Sequence, residues 1–490
     1  MVSTITQLQG KMLEQLEKIF ITYSSDMTKI AELIQGVTDS VLEFARSLLV
    51  EELESYDRFL CKEKCHRPEW NVVKKESTTL LTSLGSIYYH KTLFQNTKTK
   101  EYQYLLDQAM GLAPYARMTE DAEANLLREA VQTSYEKGGE EVSIGKEKVS
   151  RETVKKKIHR LEFPKKTVYP EEKKVVDYLY IDADEDHVSL QFREQKGDII
   201  ENERHQKNNG AITKLIYVYE GIETESPRSK RHQLKHPYYF CRVCEGEENK
   251  KLWDEVYEYI ENTYDLSKVK KIYLNADGGS WIMAGKRRIA GITYVLDEFH
   301  LRKYLQKITR NVPKEKEEVE KELIKIIRKK TKKEFEEKIK EIKEKVESVS
   351  GKRGIEEGAK YLLGNWSAAR IRLLRKEGVI GSSTESHVSH VLSERMSSRP
   401  MGWSKVGMSN MAELRAYYYN GGDMLALVRY QKRNAKKGKE EEEKIYSSNK
   451  MWVEERKRQK ELGCLADMKI YRIANAQIRK MLNCKHQICG

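Results

Sequence analysis

Three carboxylates stand where predicted strands or helices begin or end. Asp184 follows a predicted strand in IDADEDHV, Asp277 follows a later strand in YLNADGGSW, and Glu385 opens a predicted helix in SSTESHVSHVLSERM. Carboxylates that converge on one site repel each other unless a hard divalent cation such as Mg²⁺ or Mn²⁺ neutralises them. Two such ions can activate a water or a DNA 3′-hydroxyl and stabilise the leaving oxygen of an in-line phosphoryl transfer. The pattern therefore predicts a two-metal site.

Two of these positions have a rival in the sequence. Asp182 lies two residues before Asp184, so on an extended strand both side chains point to the same side and either can reach a metal ion. Glu394 lies nine residues after Glu385, roughly two and a half helical turns away, so the two cannot bind the same ion. Acidic residues at the ends of elements are also common solvated loop residues. The residue pattern by itself leaves these alternatives open.

An Asp and a His follow the next predicted strand, in LDEFHLRKYL. Asp297 and His300 are three residues apart at the start of a predicted helix and therefore share one face. Such a pair can buttress itself or support a carboxylate site, because imidazole changes its charge near neutral pH. We expect a supporting role, with a purely structural pair as the alternative.

The elements around these residues predict an α/β fold. Alternating apolar residues indicate three successive strands, at 175–182, 187–193 and 213–220, with short links that make them antiparallel. A further strand at 238–243, a helix, and strands at 269–275 and 293–296 that can pair in parallel come next. This is the element order of a ribonuclease H-like core, a mixed sheet with flanking helices. The Glu- and Lys-rich run 313–351 has apolar residues at helical spacing, which predicts an all-α insertion.

A helical DNA-binding region is predicted ahead of this core, at 116–161. One helix begins after Thr119 and a second after Ser150, with a Gly-Gly turn between them. In a helix-turn-helix the second helix enters the major groove, and its Lys and Arg side chains bind phosphates. The outward face of that helix carries four candidates, Arg151, Lys155, Lys156 and Arg160. The alternative is a basic amphipathic helix that is simply solvated.

Three residues after Glu385 are candidates for a second DNA contact. Arg395 and Arg399 have side chains that bind phosphate, and Trp403 can stack on a base. The alternative is a basic loop, fixed by a proline, that packs locally. We predict that these residues contact the DNA end.

Four segments together resemble bacterial insertion-sequence transposases of the ISLre type, which are relatives of the Mutator-like group. They are YIDADEDHV, NADGGSW, LDEFHLRKYL and ESHVSHVLSERMSSRPMGWS, in which SSRPMGW is the most specific piece. The resemblance covers most of the chain. It implies a ribonuclease H-like core with an Asp-Asp-Glu triad that binds two divalent ions, a helical insertion before the Glu, and a Cys- or Asp-x-x-His signature after the second Asp.

By position, the implied triad and signature fall on Asp184, Asp277, Glu385, Asp297 and His300. The triad separations are 93 residues (277 minus 184) and 108 residues (385 minus 277), and the second interval contains the predicted insertion. The resemblance favours Asp184 over Asp182, and the ESHVSH motif favours Glu385 over Glu394. It implies a DNA transposase that binds terminal inverted repeats, cleaves DNA and joins strands as a dimer or higher oligomer.

Composition agrees with a nucleic-acid partner. The 490 residues include 90 Lys and Arg against 76 Asp and Glu, and the net charge of +14 favours polyanions such as DNA. No apolar run approaches the ~20 residues of a membrane span, and the N-terminal residues lack a signal-peptide pattern. Seven cysteines without an export signal fit a reducing cytoplasm, where we expect the protein to associate with the nucleoid. The single CxxC, Cys241 and Cys244, has no second pair at zinc-ribbon spacing, so structural zinc is not expected.

We predict seven regions along the chain. They are an N-terminal helical region at 1–60, a small mixed α/β region at 61–115, a helix-turn-helix-like domain at 116–168, the first part of the catalytic core at 169–310, an α-helical insertion at 311–365, the second part of the core at 366–415 and a charged helical region at 416–490. The alternatives to a transposase are a domesticated or structure-specific ribonuclease H-like nuclease and a non-catalytic DNA-binding relic.

Overall fold

The chain divides into two compact units. The structure, a computed structural model, describes residues 2–436 apart from 63, 146, 167–168, 192–208, 376, 383 and 400. The first unit comprises the chain up to Ala130, Tyr135–Val154 and the segment that begins at Val428, and the second comprises Val131–Ser134 and Lys155–Leu427. The candidate site from Asp184 to Glu385 therefore lies in the second unit. The charged tail predicted beyond residue 436 lies outside the described residues.

The first unit pairs long helices with a small sheet. Two helices, α1 (Val2–Tyr23) and α2 (Ile30–Lys62), occupy the region predicted to be helical. Three antiparallel strands follow, β1 (Trp70–Thr82), β2 (Gly85–Asn96) and β3 (Tyr102–Tyr104). Aromatic and leucine side chains of α2 pack against β1 and β2 to form the core of this unit.

Short helices follow, and the last three lie in the region predicted to bind DNA. They are α3 (Leu105–Ala109), α4 (Glu120–Ala130), α5 (Tyr135–Glu140) and α6 (Arg151–Ile158). The two predicted helices are present as α4 and α6, and the apolar faces predicted for them are buried, as at Leu126 and Val154. Ser150 caps α6, since its hydroxyl accepts the backbone N–H of Thr153 at 3.3 Å. The border between the units falls within α6.

The second unit is built on a five-stranded mixed sheet. Its strands are β4 (Tyr178–Ser189), β5 (Gly210–Tyr219), β8 (Tyr238–Arg242), β9 (Lys271–Ala276) and β10 (Ile292–Leu296), in the order β10-β9-β4-β5-β8. β4, β5 and β8 pair antiparallel, whereas β9 pairs parallel to β4 and β10 parallel to β9. Strands β6 (Gly221–Thr224) and β7 (His232–Lys235) form a separate two-stranded sheet. Three antiparallel strands are thus followed along the chain by two parallel ones.

One part of the strand prediction is wrong. The two strands predicted at 175–182 and 187–193 are a single strand, β4, which pairs with β5 without a break from Tyr180 to Ser189. Asp184 therefore lies within a strand and does not follow one. The physical reason is that alternate residues of the acidic stretch point to opposite faces, so that a polar face and the small Ala183 on the core side coexist in one strand. The third antiparallel strand is β8.

The helices between and after these strands include the predicted insertion. They are α7 (Glu248–Thr263), α8 (Ser280–Arg288), α9 (Glu298–Thr309), α10 (Lys316–Lys329), α11 (Lys332–Glu344), α12 (Val349–Gly364), α13 (Trp366–Leu374), α14 (Thr384–Val388), α15 (Glu394–Met396), α16 (Lys405–Tyr419) and α17 (Met424–Lys436). The Glu- and Lys-rich run forms α10 and α11, whose apolar stripes, including Leu323 and Phe335, join the core beneath the sheet. No helix among the described residues is long and apolar enough to cross a membrane.

Candidate active site

The two faces of β4 have different chemistry. Leu179, Ile181 and Ala183 belong to the apolar core, together with residues of α7, α8, α9 and the insertion. Because side chains alternate along a strand, Asp182 and Asp184 point to the opposite face. On that face the neighbouring strands carry tyrosines and an asparagine. The sheet thus presents a polar surface on the side away from its core.

Asp184 and Asp277 are brought together by the parallel pairing of β4 and β9. Asp182 is opposite Asn275 and Ala183 is opposite Ala276. Asp184 is therefore the next residue along β4, and Asp277 is the first residue after β9. Adjacent strands lie about 4.8 Å apart, which places the two carboxylates side by side. Asp277 begins the loop after β9, as the sequence predicts.

The electrostatic environment of Asp184 links it to the other predicted site residues. Burial, together with the negative charges of Asp277 and Glu385, raises the pKa of Asp184 to about 7, although the hydrogen bond from the Glu185 N–H and the nearby His300 lower it. Three carboxylates from β4, the loop after β9 and α14 therefore share one electrostatic environment. Asp277, Glu385 and His300 are the predicted site residues whose charges act on Asp184.

The carboxylates of Asp184 and Asp277 are each held by a hydrogen bond from a nearby backbone N–H. Asp184 Oδ1 accepts the N–H of Glu185 at 2.9 Å, and Asp277 Oδ1 accepts the N–H of Gly279 at 2.8 Å. Within the part of the chain that the structure describes, no three His, Cys, Asp or Glu side chains lie close enough together to hold a metal ion as they stand. Binding of an ion would require these side chains to rotate towards one another.

Asp182 is committed to the interior of the protein. It is fully buried, and its carboxylate accepts hydrogen bonds from Tyr217 at 2.9 Å, Tyr219 at 3.1 Å, Asn275 at 2.6 Å and Thr384 at 3.0 Å. Four donors occupy the two carboxylate oxygens. Of the two rival aspartates on β4, Asp184 is therefore the one on which the charges of Asp277 and Glu385 act.

Asp297 and His300 form the pair that the sequence predicts. Asp297 caps α9 and accepts the backbone N–H of His300 at 3.2 Å, with its ring Nδ1 at 3.4 Å. Although burial raises the pKa of Asp297, hydrogen bonds from His300 and Ser382 hold it at about 2. Burial lowers the pKa of His300, but the bond to Asp297 outweighs it and raises the value overall. The bond to Asp297 thus favours the charged form of His300, beside Asp184.

A buried arginine lies behind this cluster. Arg372 on α13 is 1% exposed and donates to the Leu296 carbonyl at 2.8 Å, to the Ile380 carbonyl, and to Asn275 Oδ1 at 2.6 Å. Asn275 in turn donates to Asp182. Burial lowers the pKa of Arg372, whereas the negative charges of Asp182 and Asp297 oppose this shift, so Arg372 partly compensates these two buried carboxylates.

The insertion holds the loop that carries Asp277. The Tyr361 hydroxyl, on α12, donates to the backbone carbonyl of Asp277, and Asn365, at the end of α12, accepts from the Tyr294 hydroxyl at 3.1 Å. Gly278 has a φ of +91°, and a Cβ there would lie 2.7 Å from Asn365 Oδ1 and 2.8 Å from the Tyr294 hydroxyl. The loop is therefore built around a glycine that cannot be replaced without displacing its neighbours.

The helix that carries Glu385, α14, continues as a π-helix. Residues Ser389–Ser393 form a π-helix, in which the N–H of Glu394 donates to the carbonyl of Ser389. Arg415, 1% exposed, satisfies carbonyls of this turn by donating to His390 and Val391. As a result Glu385 and Glu394 line the same open cavity of about 580 Å³. Glu385, and not Glu394, is among the main influences on the pKa of Asp184.

The predicted DNA-binding residues fall into two groups. Arg151, Lys156 and Arg160 are exposed, whereas Lys155 is half-buried. Arg160 lies beyond the end of α6. Arg399 is also exposed.

Arg395 and Trp403, in contrast, are 5% exposed each, with the guanidinium 4.9 Å from the centre of the indole ring. The Trp403 indole donates to the Met396 carbonyl, and its backbone pairs with Ser189 at the end of β4. Both residues pack locally, which is the alternative interpretation of the sequence pattern.

Sequence reasoning missed the residues that support the site. They are Tyr217, Tyr219, Asn275, Arg372, Thr384 and Arg415. The alternation of LIYVY and the position of Asn275 two residues before Asp277 were available signals, because they place these side chains on the face of Asp182 and Asp184. Cys241 and Cys244 are buried free thiols of the second unit.

Comparison with known proteins gives a family. Residues 24–434 match the uncharacterised protein family UPF0236. A UPF0236 protein of Caldanaerobacter subterraneus subsp. tengcongensis that bears eleven joined designations, from TTE0033 to TTE2212, is 34% identical over 84% of this chain and 82% of its own length. Another, with four designations from TTE0610 to TTE2432, is 33% identical over 87% of this chain and 85% of its own.

Among solved structures, the Drosophila P element transposase strand transfer complex is similar at 8% identity, over 64% of this chain and 80% of that chain, with a TM-score of 0.22. A score this low carries no argument about the fold.

Proposed function

This chain belongs to the uncharacterised protein family UPF0236, and we propose that it is a DNA transposase of an insertion sequence. In this proposal Asp184, Asp277 and Glu385 bind two Mg²⁺ or Mn²⁺ ions and catalyse DNA cleavage and strand transfer. The observation that carries it is the environment of Asp184, which combines burial with the charges of Asp277 and Glu385 from two other elements. Like charges gathered in a half-buried place are typical of sites that bind divalent cations.

The sheet supports a ribonuclease H-like core as part of the proposal. Its three antiparallel strands and two parallel strands follow one another in the predicted order, and β4 lies at the centre. Asp184 lies on the central strand β4 and Asp277 directly follows the adjacent strand β9, and the helices α10, α11 and α12 separate both in sequence from Glu385. The arrangement is the one that the resemblance to ISLre-type transposases implies.

The donor set fits divalent ions. All three side chains offer carboxylate oxygens, the ligands that Mg²⁺ and Mn²⁺ prefer, and Asp184 and Asp277 give up only a bond to a backbone N–H when they rotate. Bound ions would supply a nucleophile and stabilise the charge of the leaving oxygen. Asp297 fixes His300 beside these carboxylates, where its positive charge partly offsets theirs in the absence of metal.

The basic residues supply binding to DNA in this proposal. The side chains Arg151, Lys156 and Arg160 on and after α6, and Arg399 near the candidate site, offer positive charge to phosphates. Terminal inverted repeats are the expected ligand, and a dimer or higher oligomer would hold two ends together. Arg395 and Trp403 are left out of this role because they are buried against each other.

The designations of the relatives support a mobile element. We read the eleven joined designations of one relative, and the four of another, as copies of one gene within one organism. Repeated copies are what transposition leaves behind. A structure-specific nuclease or a non-catalytic relic offers no reason for such copies to spread, so these alternatives become outcomes of the test below.

The test is cleavage and strand transfer by the purified full chain on DNA that carries the ends of the element. We expect activity only with Mg²⁺ or Mn²⁺, and a loss of more than about a hundredfold in Asp277→Ala and Glu385→Ala. Glu394→Ala is the matched control, because Glu394 lines the same cavity as Glu385 but is not among the main influences on the pKa of Asp184. Thermal unfolding of each variant shows whether it is folded.

Each outcome has a distinct meaning. Retained activity in Asp277→Ala or Glu385→Ala overturns the site assignment. Metal-dependent cleavage of DNA without the end sequences identifies a structure-specific nuclease. End-specific binding that weakens with salt, without any cleavage, identifies a DNA-binding relic.

A further inference from the structure

A buried hydrogen bond connects the residue before Glu385 to the strand of Asp184. The Thr384 hydroxyl donates to Asp182 Oδ2 at 3.0 Å, and both residues are at most 3% exposed. Thr384 is the residue before Glu385, and Asp182 lies two residues before Asp184 on the same face of β4. The bond therefore joins the backbone positions of two candidate metal ligands by a short route.

The acceptor of this bond is fixed from several directions. Asp182 is held by the hydroxyls of Tyr217 and Tyr219 on β5 and by the amide of Asn275 on β9. Asn275 is itself held by the buried guanidinium of Arg372. A carboxylate on β4 that is bound from both neighbouring strands cannot shift without breaking several bonds at once, so Thr384 is attached to a rigid point of the sheet.

The donor, in contrast, lies at the start of an element that has little support of its own. α14 has five residues and continues directly into the π-helix. A helix this short gains little from its own hydrogen bonds, so its position depends on contacts with its surroundings. A second attachment lies next to the first, because Thr384 Oγ1 is also 3.4 Å from Asp297 Oδ1, which accepts from Ser382 as well.

We propose that Thr384 is a positioning residue of the metal site: its hydroxyl, bonded to Asp182, fixes the backbone that carries Glu385 relative to β4, the strand of Asp184. The inference rests on the proposed function, because it concerns how that site is assembled. Thr384 does not itself bind metal or substrate. Its role is to hold the backbone next to Glu385 in a fixed position relative to the rigidly bound Asp182.

The alternative is that Thr384 contributes only to stability. A structural role predicts a lower midpoint of unfolding and unchanged metal affinity in the folded protein. A positioning role predicts weaker metal binding even where the protein remains folded. Residues that orient metal ligands typically change metal affinity by about ten- to a hundredfold when they are altered.

The experiment measures Mn²⁺ binding to the full chain without DNA, by electron paramagnetic resonance of free Mn²⁺. We expect Thr384→Val, which keeps the size of the side chain and removes the hydroxyl, to raise the Kd of Mn²⁺ about tenfold or more. Thr384→Ser keeps the hydroxyl and restores the Kd to within about threefold of the parent. Ser386→Ala, on the other side of Glu385, leaves the Kd unchanged.

A second comparison isolates the route through Glu385. Thr384→Val is expected to have less than a twofold effect in a Glu385→Gln background, because there is no third carboxylate left to position. If Thr384→Val does not fold, Thr384→Ala removes the hydroxyl without placing a methyl group against Asp182. Far-ultraviolet circular dichroism and thermal unfolding identify the folded variants.

The outcomes separate this inference from the proposed function. If the Glu385→Gln variant binds Mn²⁺ with the same Kd as the parent, the proposed metal site is wrong. If Glu385→Gln weakens binding but folded Thr384→Val or Thr384→Ala binds like the parent, the metal site stands and the positioning role is refuted. An equal effect of Thr384→Val with and without Glu385 also refutes it.

Discussion

Replacement of Gly278 by Ala should strain the loop that carries Asp277. Gly278 has a φ of +91°, and a Cβ at this position would lie 2.7 Å from Asn365 Oδ1 and 2.8 Å from the Tyr294 hydroxyl. These two atoms are hydrogen-bonded to each other at 3.1 Å, and the Tyr294 side chain is buried. Neither can move aside without breaking a bond that docks the end of α12 on the sheet.

The magnitude has two parts. An alanine held at positive φ costs about 1–2 kcal/mol relative to glycine. Insertion of a methyl group into a packed place costs a further ~1–3 kcal/mol. Gly291, in the same unit, has a φ of +76°, and a Cβ there would have no atom within 4 Å, so Gly291→Ala meets only the first cost. The difference between the two variants, about 1–3 kcal/mol, is the steric part.

The assay is equilibrium unfolding of the full chain in urea, with the free energy of unfolding of the second unit compared among the parent, Gly278→Ala and Gly291→Ala. We expect Gly278→Ala to lose about 1–3 kcal/mol more than Gly291→Ala. Equal losses would show that the loop accommodates a side chain. Asn365 and Tyr294 would then not be what fixes the position of Asp277.

Charge and buried hydrogen bonds lead to four more expected outcomes. Asp297→Asn should flatten the fall in stability between pH 4 and 2. The pKa of Asp297 is lowered to about 2, so its contribution of about 2 kcal/mol is present above the unfolded pKa near 3.8 and is lost as the pH falls. An unchanged pH profile of the free energy of unfolding refutes this. Mn²⁺ affinity should fall by up to about tenfold per pH unit below pH 7, since Asp184, with a pKa of about 7, must lose its proton, and a calorimetric titration that shows no pH dependence contradicts it. Lys156→Ala should weaken DNA binding and reduce the salt slope by about 0.9, whereas an unaltered slope removes Lys156 from the interface. Arg415→Met should lower the free energy of unfolding by about 2–4 kcal/mol, since buried carbonyls lose their donor, and a loss below about 1 kcal/mol in urea unfolding would show that water replaces it.

The local elements of the second unit could be predicted from sequence, but their limits could not. Periodicity of apolar residues indicates the strands, the helices and the insertion, because each buries one face. The same periodicity divides β4 at the acidic stretch, since acidic residues there predict a turn. The stretch remains a strand because Asp182 finds four donors on neighbouring elements, which a sequence pattern does not show.

The residues that support the candidate site could not be predicted for a related reason. The bond from Thr384 to Asp182 joins residues 202 positions apart, and the bond from Arg372 to Asn275 joins residues 97 apart. A threonine before a glutamate and an arginine in an apolar helix have no distinctive local pattern. Asp184, Asp277 and Glu385 could be singled out because carboxylates near strand ends suggest chemistry on their own, whereas their supports acquire a meaning only through the fold.

The relation between Glu385 and Glu394 shows how one local irregularity changes what spacing implies. At about 100° per residue, nine residues place the two side chains on opposite faces of an α-helix. A π-turn accommodates one extra residue, so it removes about 100° from that rotation and turns Glu394 towards the side of Glu385. Both residues accordingly line one cavity, and Arg415 holds the widened turn by its carbonyls. A period of 3.6 residues excludes this arrangement, so the buried arginine 21 residues further on, from 394 to 415, is part of what places the acidic residues of this helix.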